Sequence, residues 1–283
     1  MTAVGLVGLL RAAAEAGRGV GAFNVFSLEH AEGLMAGAAR AGTPVVLQIS
    51  QNAVRYHGSL APITLATLAL AQAGDVDAVV HLDHATDVRL VQEAVALGVG
   101  SVMFDGSELD YDTNVRVTAE VVAHCHAHGV DVEAELGEVG GKDGVHAPGA
   151  RTRPDEAAAF VAATGVDALA VAVGSSHAMT ERRASLDLEL IKDIRAVVEV
   201  PLVLHGSSGV PDHEIVRAVR AGMTKINIAT HLNKIFTGTV RSVLADQPGL
   251  VDSRKYLGPA REALATEAAR LLAMLEEAAP SAG

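Results

Sequence analysis

Cysteine and tryptophan are almost absent from this chain, which has one cysteine, Cys125, and no tryptophan. A single cysteine excludes an intrachain disulfide, and this usage is typical of the reducing cytoplasm, where we expect the protein. No apolar run reaches the length of a membrane span. The first residues, MTAVGLVGLLRAAAEAG, lack the basic start and the small-residue cleavage site of a signal peptide. We therefore expect neither export nor contact with a membrane.

Basic residues are also scarce, with 22 lysines and arginines against 34 acidic residues and a formal net charge of −12. A surface of this sign argues against nucleic-acid binding. It does not exclude an anionic substrate, because a local pocket can oppose the field of the whole chain. The composition is otherwise that of a globular protein, with 49% hydrophobic residues among 283. We predict one domain over residues 1–283.

Short runs of β-branched residues alternate with longer alanine-rich stretches along the chain. The short runs predict eight strands, at 19–25, 43–50, 78–83, 100–106, 130–136, 166–174, 200–206 and 224–230. Helices are predicted after them, at about 28–41, 60–73, 86–97, a long one to about 128, one from Pro154, 186–196, one from Pro211, and 231–245. A short amphipathic helix at the N-terminus and an extra helix over 259–279 complete the prediction.

Eight β–α units of this size predict an α/β fold, a (β/α)8 TIM barrel with an N-terminal helix and an extra C-terminal helix. A doubly wound open sheet is the alternative. That fold usually has fewer strands and a glycine-rich dinucleotide-binding turn after its first strand. Here the first strand runs into NVFSLEH instead. The barrel is therefore the predicted architecture.

Polar or ionisable side chains end every predicted strand. They are Asn24, Ser50, Asp83 with His84, Asp105, Glu135, His177, His205 and Asn227. Active sites of such barrels lie at the C-terminal ends of the strands. Because burying polar groups is costly unless they are paired or bound to metal, their placement indicates a functional site there.

Three of these strand-end residues are histidines: His84, His177 and His205. Three imidazoles around one centre with a position left open describe a catalytic divalent metal site, most simply Zn²⁺. Each histidine taken alone could instead be a core residue that is hydrogen-bonded to the backbone. Asp83 is either a general acid/base beside the metal or a carboxylate that orients a ligand. His81, two residues earlier on the same strand face, is predicted to pack inside the barrel.

Two segments at the seventh and eighth strands predict a phosphate site. LHGSSG places Gly206, Ser207 and Ser208 before a helix, and INIAT supplies Asn227 and Thr230 beside them. Backbone N–H groups at a helix N-terminus bind anions, and these two strands form the usual phosphate site of a TIM barrel. Ordinary turn chemistry is the alternative for both segments. The glycine-rich loop at 135–144 is either a mobile lid that carries an acid or a disordered connection. The HCHAH cluster at 124–128 is predicted to be a solvated helix end.

The segments GAFNV, HLDH, VEAELG, TGVDALAVAVGSSH, VPLVLHGSSGVPD and KINIAT occur in the order and spacing found in class II, metal-dependent ketose-bisphosphate aldolases. The sequence resembles the shorter branch of that family, which includes fructose- and tagatose-bisphosphate aldolases. The resemblance covers nearly the whole chain. It implies a lyase of carbohydrate metabolism, typically a homodimer or homotetramer. A monovalent cation, Na⁺ or K⁺, often supports activity in the family.

The resemblance also implies roles for individual residues. His84, His177 and His205 would bind the zinc, and Glu135 and Asp105 would be alternative ligands or lie behind them. Asp83 would be the acid/base at the substrate C4 hydroxyl. The substrate and its phosphates would contact Asn24, Ser50, Gly174, Gly206, Ser207, Ser208, Asn227, Ala229, Thr230 and Arg254. Arg254 matches a family arginine that reaches the distal phosphate, often from a neighbouring subunit.

This implied chemistry is consistent with the residues. Retro-aldol cleavage leaves a carbanion beside a carbonyl, which zinc stabilises as an enediolate by acting as a Lewis acid. A second acid returns a proton to carbon, and Asp143, beside Lys142, stands where the family has a glutamate. A Schiff-base route needs a lysine in the barrel, and none ends a predicted strand. Ala178 stands where the family usually has a glycine, and Ala229 resembles tagatose-type members more than fructose-type members.

The sequence leaves three alternative functions open. The first is a zinc-dependent aldolase that acts on fructose or tagatose 1,6-bisphosphate and releases dihydroxyacetone phosphate, or on another phosphorylated keto-sugar or keto-deoxy sugar acid. The second is a non-catalytic accessory subunit. The third is a metal-dependent hydrolase barrel, which usually has an H-x-H pair on its first strand where this chain has Asn24–Val25–Phe26.

Overall fold

A computed structural model describes residues 5–136, 151–176 and 181–279. Within these ranges eight parallel strands form one closed barrel in chain order, with β1 paired to both β2 and β8. The strands are β1 Val20–Asn24, β2 Val45–Ser50, β3 Ala78–Ala85, β4 Ser101–Phe104, β5 Asp131–Leu136, β6 Ala168–Val171, β7 Leu202–Leu204 and β8 Met223–Ile228. The predicted (β/α)8 TIM barrel is confirmed.

Helices follow the strands and surround the barrel. They are α1 Leu6–Glu15, α2 Leu28–Ala41, α3 Gln51–His57, α4 Ala61–Ala73, α5 Val88–Leu97, α6 Tyr111–His126, α7 Pro154–Thr164, α8 Leu188–Val197, α9 Asp212–Ala221, α10 Thr230–Asp246 and α11 Arg254–Glu276. Most lie within two or three residues of their predicted positions. No helix in the described part of the chain is both long enough and apolar enough to cross a membrane.

Two helices differ from the prediction. The seven-residue α3 was not predicted, because it is too short to show periodicity; the Ser50 hydroxyl caps it by accepting from Ala53 N. The predicted start of the terminal helix, at Pro259, is wrong: α11 begins at Arg254 and contains Pro259. The first four N–H groups of a helix have no intrahelical acceptor, so a proline just beyond them forfeits only one hydrogen bond.

The N-terminal half of the barrel interior is filled by apolar side chains. Leu6 and Leu10 of α1 are fully buried and form one cluster with inward residues of the strands, among them Val20 and Val203. Val7 N donates to the Asp131 carboxylate at 2.9 Å, which ties α1 to the start of β5. The first helix therefore closes this end of the barrel and leaves the strand C-termini as the open end.

A second apolar layer lies between the strands and the surrounding helices. In this layer α2 packs against α11 at very short range. A Cβ atom at Gly37 would lie 2.7 Å from the Cβ of Ala268 and 2.8 Å from the Ala265 carbonyl oxygen. Only glycine permits that approach of two helix backbones. The C-terminal helix is thereby held against the helix that follows β1.

Candidate active site

The strand β3 carries Asp83 and His84 to the open end of the barrel. Adjacent residues of a regular strand point to opposite faces, so only one of the two should enter the interior. The β3–β4 register shifts between Leu82 and Ala85, and His84 has a φ of 50°. Such a bulge re-aims one side chain. It explains how two neighbouring residues both reach the same site.

Asp83 is 4% exposed and is held on both oxygens. Gln48 Nε2 donates to Oδ1 at 2.8 Å, and Asn24 Nδ2 donates to Oδ2 at 3.2 Å. Burial opposes the charged form of this carboxyl. The positive charges of His84 and Lys225 outweigh burial and lower the pKa of Asp83 below its ordinary value. The result is an ionised carboxylate in a fixed orientation.

The ring of His84 is oriented by the end of the next strand. Its Nδ1 lies 2.7 Å from Asp105 Oδ2, and the Ser107 hydroxyl donates to Asp105 Oδ1 at 2.6 Å. Asp105 is itself 6% exposed. Since Nδ1 is engaged by this carboxylate, Nε2 is the nitrogen of His84 that can bind a metal.

His205 follows β7 directly and is fully buried. Its Nε2 lies 2.9 Å from Glu133 Oε1, and its Nδ1 lies 3.1 Å from Glu135 Oε2. Burial lowers the pKa of His205, but hydrogen bonds to Glu133 and Glu135 reverse this and raise it to about 9. Lys225 Nζ contacts the other oxygen of Glu133 at 2.8 Å. Burial likewise opposes the charge of Glu133, yet Lys225 holds the pKa of that carboxyl far below its usual range.

His84, Glu135 and His205 together form a candidate metal site. One ligand atom from each lies within 4.8 Å of the others. The rings of His84 and His205 meet edge to face with centroids 4.7 Å apart. Two imidazoles and a carboxylate suit a transition-metal ion such as zinc, so the residues fit the ion that the sequence predicts. The third predicted histidine, His177, lies outside the described residues.

A cavity of about 220 Å³ opens next to these groups. It is lined by Asn24, Phe26, Ser50, Asn52, Asp83, His84, Gly206, Ser208, Asn227, Ala229 and Thr230. The Ser208 hydroxyl accepts from the backbone N–H groups of Ala229 and His231 at 3.2 Å, at the start of α10. The predicted phosphate elements therefore meet in the same cavity as Asp83.

Gly206 makes the junction between the metal site and this cavity. It has a φ of 67°, and a Cβ there would lie 2.6 Å from the carbonyl carbon and oxygen of Ser176. Gly174, with a φ of 112°, is in similarly close contact with the Ser185 carbonyl oxygen, at 2.8 Å. Gly206 lets the segments after β6 and β7 pack together, and Gly174 allows a close approach within the segment between β6 and α8. Gly174 itself is not among the residues that line the cavity.

The remaining predicted residues have other surroundings. Ser207 is fully buried and donates to the Leu204 carbonyl oxygen at 3.0 Å, outside the cavity lining. Arg254 is 88% exposed at the start of α11 and is paired with Asp252. Asp143 and the 137–150 part of the predicted lid lie outside the described residues. His81 packs inside the barrel as predicted, with Nδ1 2.8 Å from the Ser101 hydroxyl.

Sequence reasoning missed the layer of side chains just beneath the site. Gln48, Glu133 and Lys225 each lie two residues before a predicted site residue on the same strand: Ser50, Glu135 and Asn227. Residues two apart share a face of a strand. That spacing could have found them, as it found His81.

An ionisable cluster at the C-terminal ends of barrel strands, with a metal donor set and a phosphate-type pocket, defines a metal-site TIM-barrel enzyme. The family described as class-II fructose-bisphosphate aldolase matches residues 4–279. The chain therefore belongs to the class-II fructose-bisphosphate aldolase family, and it is a lyase of carbohydrate metabolism.

Individual relatives agree with the family match. The fructose-bisphosphate aldolase of Giardia intestinalis is 39% identical over 272 residues, which cover 87% of this chain and 84% of the relative. That of Thermus caldophilus is 40% identical over 283 aligned residues, which cover 90% of this chain and 92% of the relative. The crystal structure of the YdjI aldolase from Escherichia coli K12 has a TM-score of 0.85 and 31% identity, and covers 99% of this chain and all of that one.

Proposed function

We propose that this chain is a zinc-dependent aldolase that reversibly cleaves a ketose 1,6-bisphosphate, of the fructose or tagatose type, to dihydroxyacetone phosphate and glyceraldehyde 3-phosphate. The observation that carries the proposal is one cavity holding Asp83, the candidate metal ligand His84 and the phosphate-type residues Ser208 and Thr230. The names of the Giardia and Thermus relatives support the fructose substrate.

His84, His205 and Glu135 would hold the zinc, with His177 as a further ligand. The bound zinc would supply a Lewis acid for the substrate carbonyl. On the protein side, Asp105 keeps Nε2 of His84 available by engaging Nδ1. By the same argument Nδ1 of His205 would be its ligand nitrogen, because Glu133 engages Nε2 and Nδ1 faces Glu135.

Asp83 acts as the base that removes the C4 hydroxyl proton when the C3–C4 bond breaks, and returns it in the reverse direction. Its lowered pKa keeps the carboxylate ionised at neutral pH. The amides of Gln48 and Asn24 hold both oxygens, so the carboxylate reaches the substrate in one orientation. Fixing a reacting group in this way removes an orientational cost from the transition state.

The phosphate of the dihydroxyacetone half binds at the start of α10. The positive end of that helix favours an anion. Gly206, Ser208, Asn227 and Thr230 lie around this point of the cavity. The phosphate then fixes the distance from the reacting carbons to Asp83.

Several other inferences from the sequence stay predictions. They are the carbon-protonating role of Asp143, the distal-phosphate role of Arg254 from a neighbouring subunit, a homodimer or homotetramer, support by a monovalent cation, a single domain over 1–283 and a cytoplasmic location.

A second candidate is an aldolase for a keto-sugar or keto-deoxy sugar acid with one phosphate. One observation favours it: among the described residues that line the cavity there is no lysine or arginine. A second phosphate would need a cation from elsewhere, such as Arg254. The two candidates share the metal, the base and the first phosphate, and differ only in the aldehyde half of the substrate.

The test is cleavage of a panel of sugars by protein as isolated, after EDTA treatment and after zinc repletion. Fructose and tagatose 1,6-bisphosphates, fructose 1-phosphate and a phosphorylated deoxy-keto acid form the panel. The expected result is zinc-dependent release of dihydroxyacetone phosphate from a bisphosphate. Preference for a monophosphate would select the second candidate. Absence of cleavage with zinc bound would overturn both and point to the accessory subunit.

A further inference from the structure

Glu133 and Lys225 form an ion pair inside the barrel, one layer beneath the candidate metal site. Lys225 Nζ lies 2.8 Å from Glu133 Oε2, and both side chains are completely buried. The pair joins β5 to β8, which are not neighbours in the barrel, so it crosses the interior. Lys225 does not line the cavity above, which distinguishes it from a lysine placed to react with a substrate carbonyl.

A completely buried ion pair needs a reason beyond stability. Taking both charges out of water costs more than most such pairs return, and well-packed apolar residues are often as stable or more stable in their place. Neighbouring positions show that apolar side chains fit here, since Val20 and Val203 lie directly beside Lys225 in the strand register. Lys225 and Glu133 therefore stand out as charged residues in a setting that hydrophobic side chains could fill.

The second contact of Glu133 supplies a reason. Its Oε1 lies 2.9 Å from Nε2 of His205, while Nδ1 of the same ring lies 3.1 Å from Glu135 Oε2. An imidazole that binds a metal through one ring nitrogen keeps its proton on the other. Glu133 is placed to accept a hydrogen bond from Nε2 in that state, while Nδ1 faces Glu135, another of the candidate metal ligands.

We propose that Lys225 and Glu133 are positioning residues that select Nδ1 of His205 as its metal-binding nitrogen and hold the ring in that orientation. Glu133 engages Nε2 through one oxygen. Lys225 engages the other oxygen, so the carboxylate cannot turn away from the ring without losing the lysine. The inference deepens the proposed function, since it concerns the metal site on which that function rests.

The test uses three variants and a matched control. Lys225→Met and Glu133→Leu each remove one charge, and the double variant Glu133→Leu/Lys225→Met replaces the pair with apolar side chains. Ser101→Ala is the control, because it removes the hydrogen bond to His81 in the same buried layer without touching His205. Two quantities are measured: which nitrogen of His205 carries the proton in the zinc-loaded protein, by long-range proton–nitrogen NMR, and the zinc Kd, by competition with a chelator.

In the zinc-loaded parent protein we expect the proton of His205 on Nε2, and we expect zinc to bind tightly. Loss of a carboxylate behind a metal-binding histidine typically weakens binding by about 10–100-fold. We expect that loss in the double variant, together with a mixture of both His205 tautomers. The Ser101→Ala protein should keep the parent tautomer and a zinc Kd within about twofold of the parent.

The double variant separates positioning from a structural role, because it buries no unpaired charge and should fold even where a single variant does not. A purely structural pair predicts that the double variant regains the parent zinc Kd and a single tautomer, and that result would overturn the proposal. A parent protein that binds zinc but cleaves no sugar would overturn the proposed function and leave this inference intact.

Discussion

The two ends of the barrel interior carry side chains of opposite chemical character. At the N-terminal end, Leu6 and Leu10 of α1 fill the space between strands with apolar atoms. At the C-terminal end the buried side chains include Asp83, Glu135 and His205, which are no more than 4% exposed. The same eight strands line both ends. The difference teaches that the polar end is retained for chemistry, because apolar residues fill an equivalent space without the cost of desolvation.

The largest expected effect comes from removing the base at the polar end. Asp83→Asn keeps the size of the side chain but cannot accept the C4 proton. We expect kcat for the preferred sugar phosphate to fall by about 10²–10⁴-fold, the usual range for a general base. Steady-state kinetics measure this, with zinc content checked in parallel. A variant within tenfold of the parent at full zinc loading would rule out Asp83 as the base.

A substitution at the apolar end should lower stability and leave catalysis unchanged. Leu10→Ala opens a cavity in the closed end of the barrel, and we expect the free energy of unfolding to fall by about 2–5 kcal/mol. The kcat of the folded protein should not change. Urea denaturation and kinetics on the same sample test both statements. Leu65→Ala is the control, since Leu65 is 52% exposed and its loss should cost less than about 0.5 kcal/mol.

A pH titration sharpens the comparison at the edge of the polar end. His30, on α2, is 5% exposed, and its ring stacks on that of Phe236 with the ring centroids 4.3 Å apart. Burial lowers its pKa to about 4, partly opposed by the charge of Glu29. The unfolded chain takes up this proton near pH 6.5, whereas the folded chain does so only near pH 4.

Acid therefore favours the unfolded state through His30. Stability should be complete above pH 6.5 and decline as the pH falls toward 4, by an amount on the order of 3 kcal/mol for this residue. In His30→Gln that contribution disappears, so the difference in unfolding free energy between pH 7 and pH 5 should shrink. Urea midpoints at the two pH values measure it. An unchanged difference would mean that His30 does not titrate in this window.

The smallest expected effect is at the phosphate element. Ser208→Ala removes the hydroxyl that orders the N–H groups of Ala229 and His231. We expect KM for a sugar phosphate to rise by about tenfold, equivalent to roughly 1.4 kcal/mol, with little change in kcat. Ser253→Ala, at the start of α11, is the matched surface control. Equal effects on both variants would contradict the assignment of the cavity.

The fold could be predicted from the sequence because its signals are local. Runs of β-branched residues alternate with alanine-rich stretches, and this pattern specifies each β–α unit without reference to the rest of the chain. The strand-end residues Asp83, His84 and His205 could be predicted for the same reason, since position in the unit determines position in the barrel. The His84–Asp105 and Glu133–Lys225 contacts could not. They depend on which inward residues meet across the closed barrel, and spacing within one strand does not contain that information.

The bulge at β3 lay beyond sequence reasoning for a different reason. A left-handed backbone at a histidine has a low intrinsic population, so no propensity predicts it. Only the closed barrel, with Asp83 fixed by Gln48 and Asn24, compels His84 into it. Tertiary structure here overrides local preference.

The φ of 50° at His84 has a consequence for anyone who improves this protein by selection. Strained backbone of this kind costs on the order of 1 kcal/mol, and glycine adopts it freely. His84→Gly would relieve that strain, but it would also remove the contacts of the ring with Asp105 and His205 and discard a proposed zinc ligand. The backbone and the side chain of this one residue favour different substitutions, so any directed-evolution campaign on this scaffold should score turnover together with melting temperature.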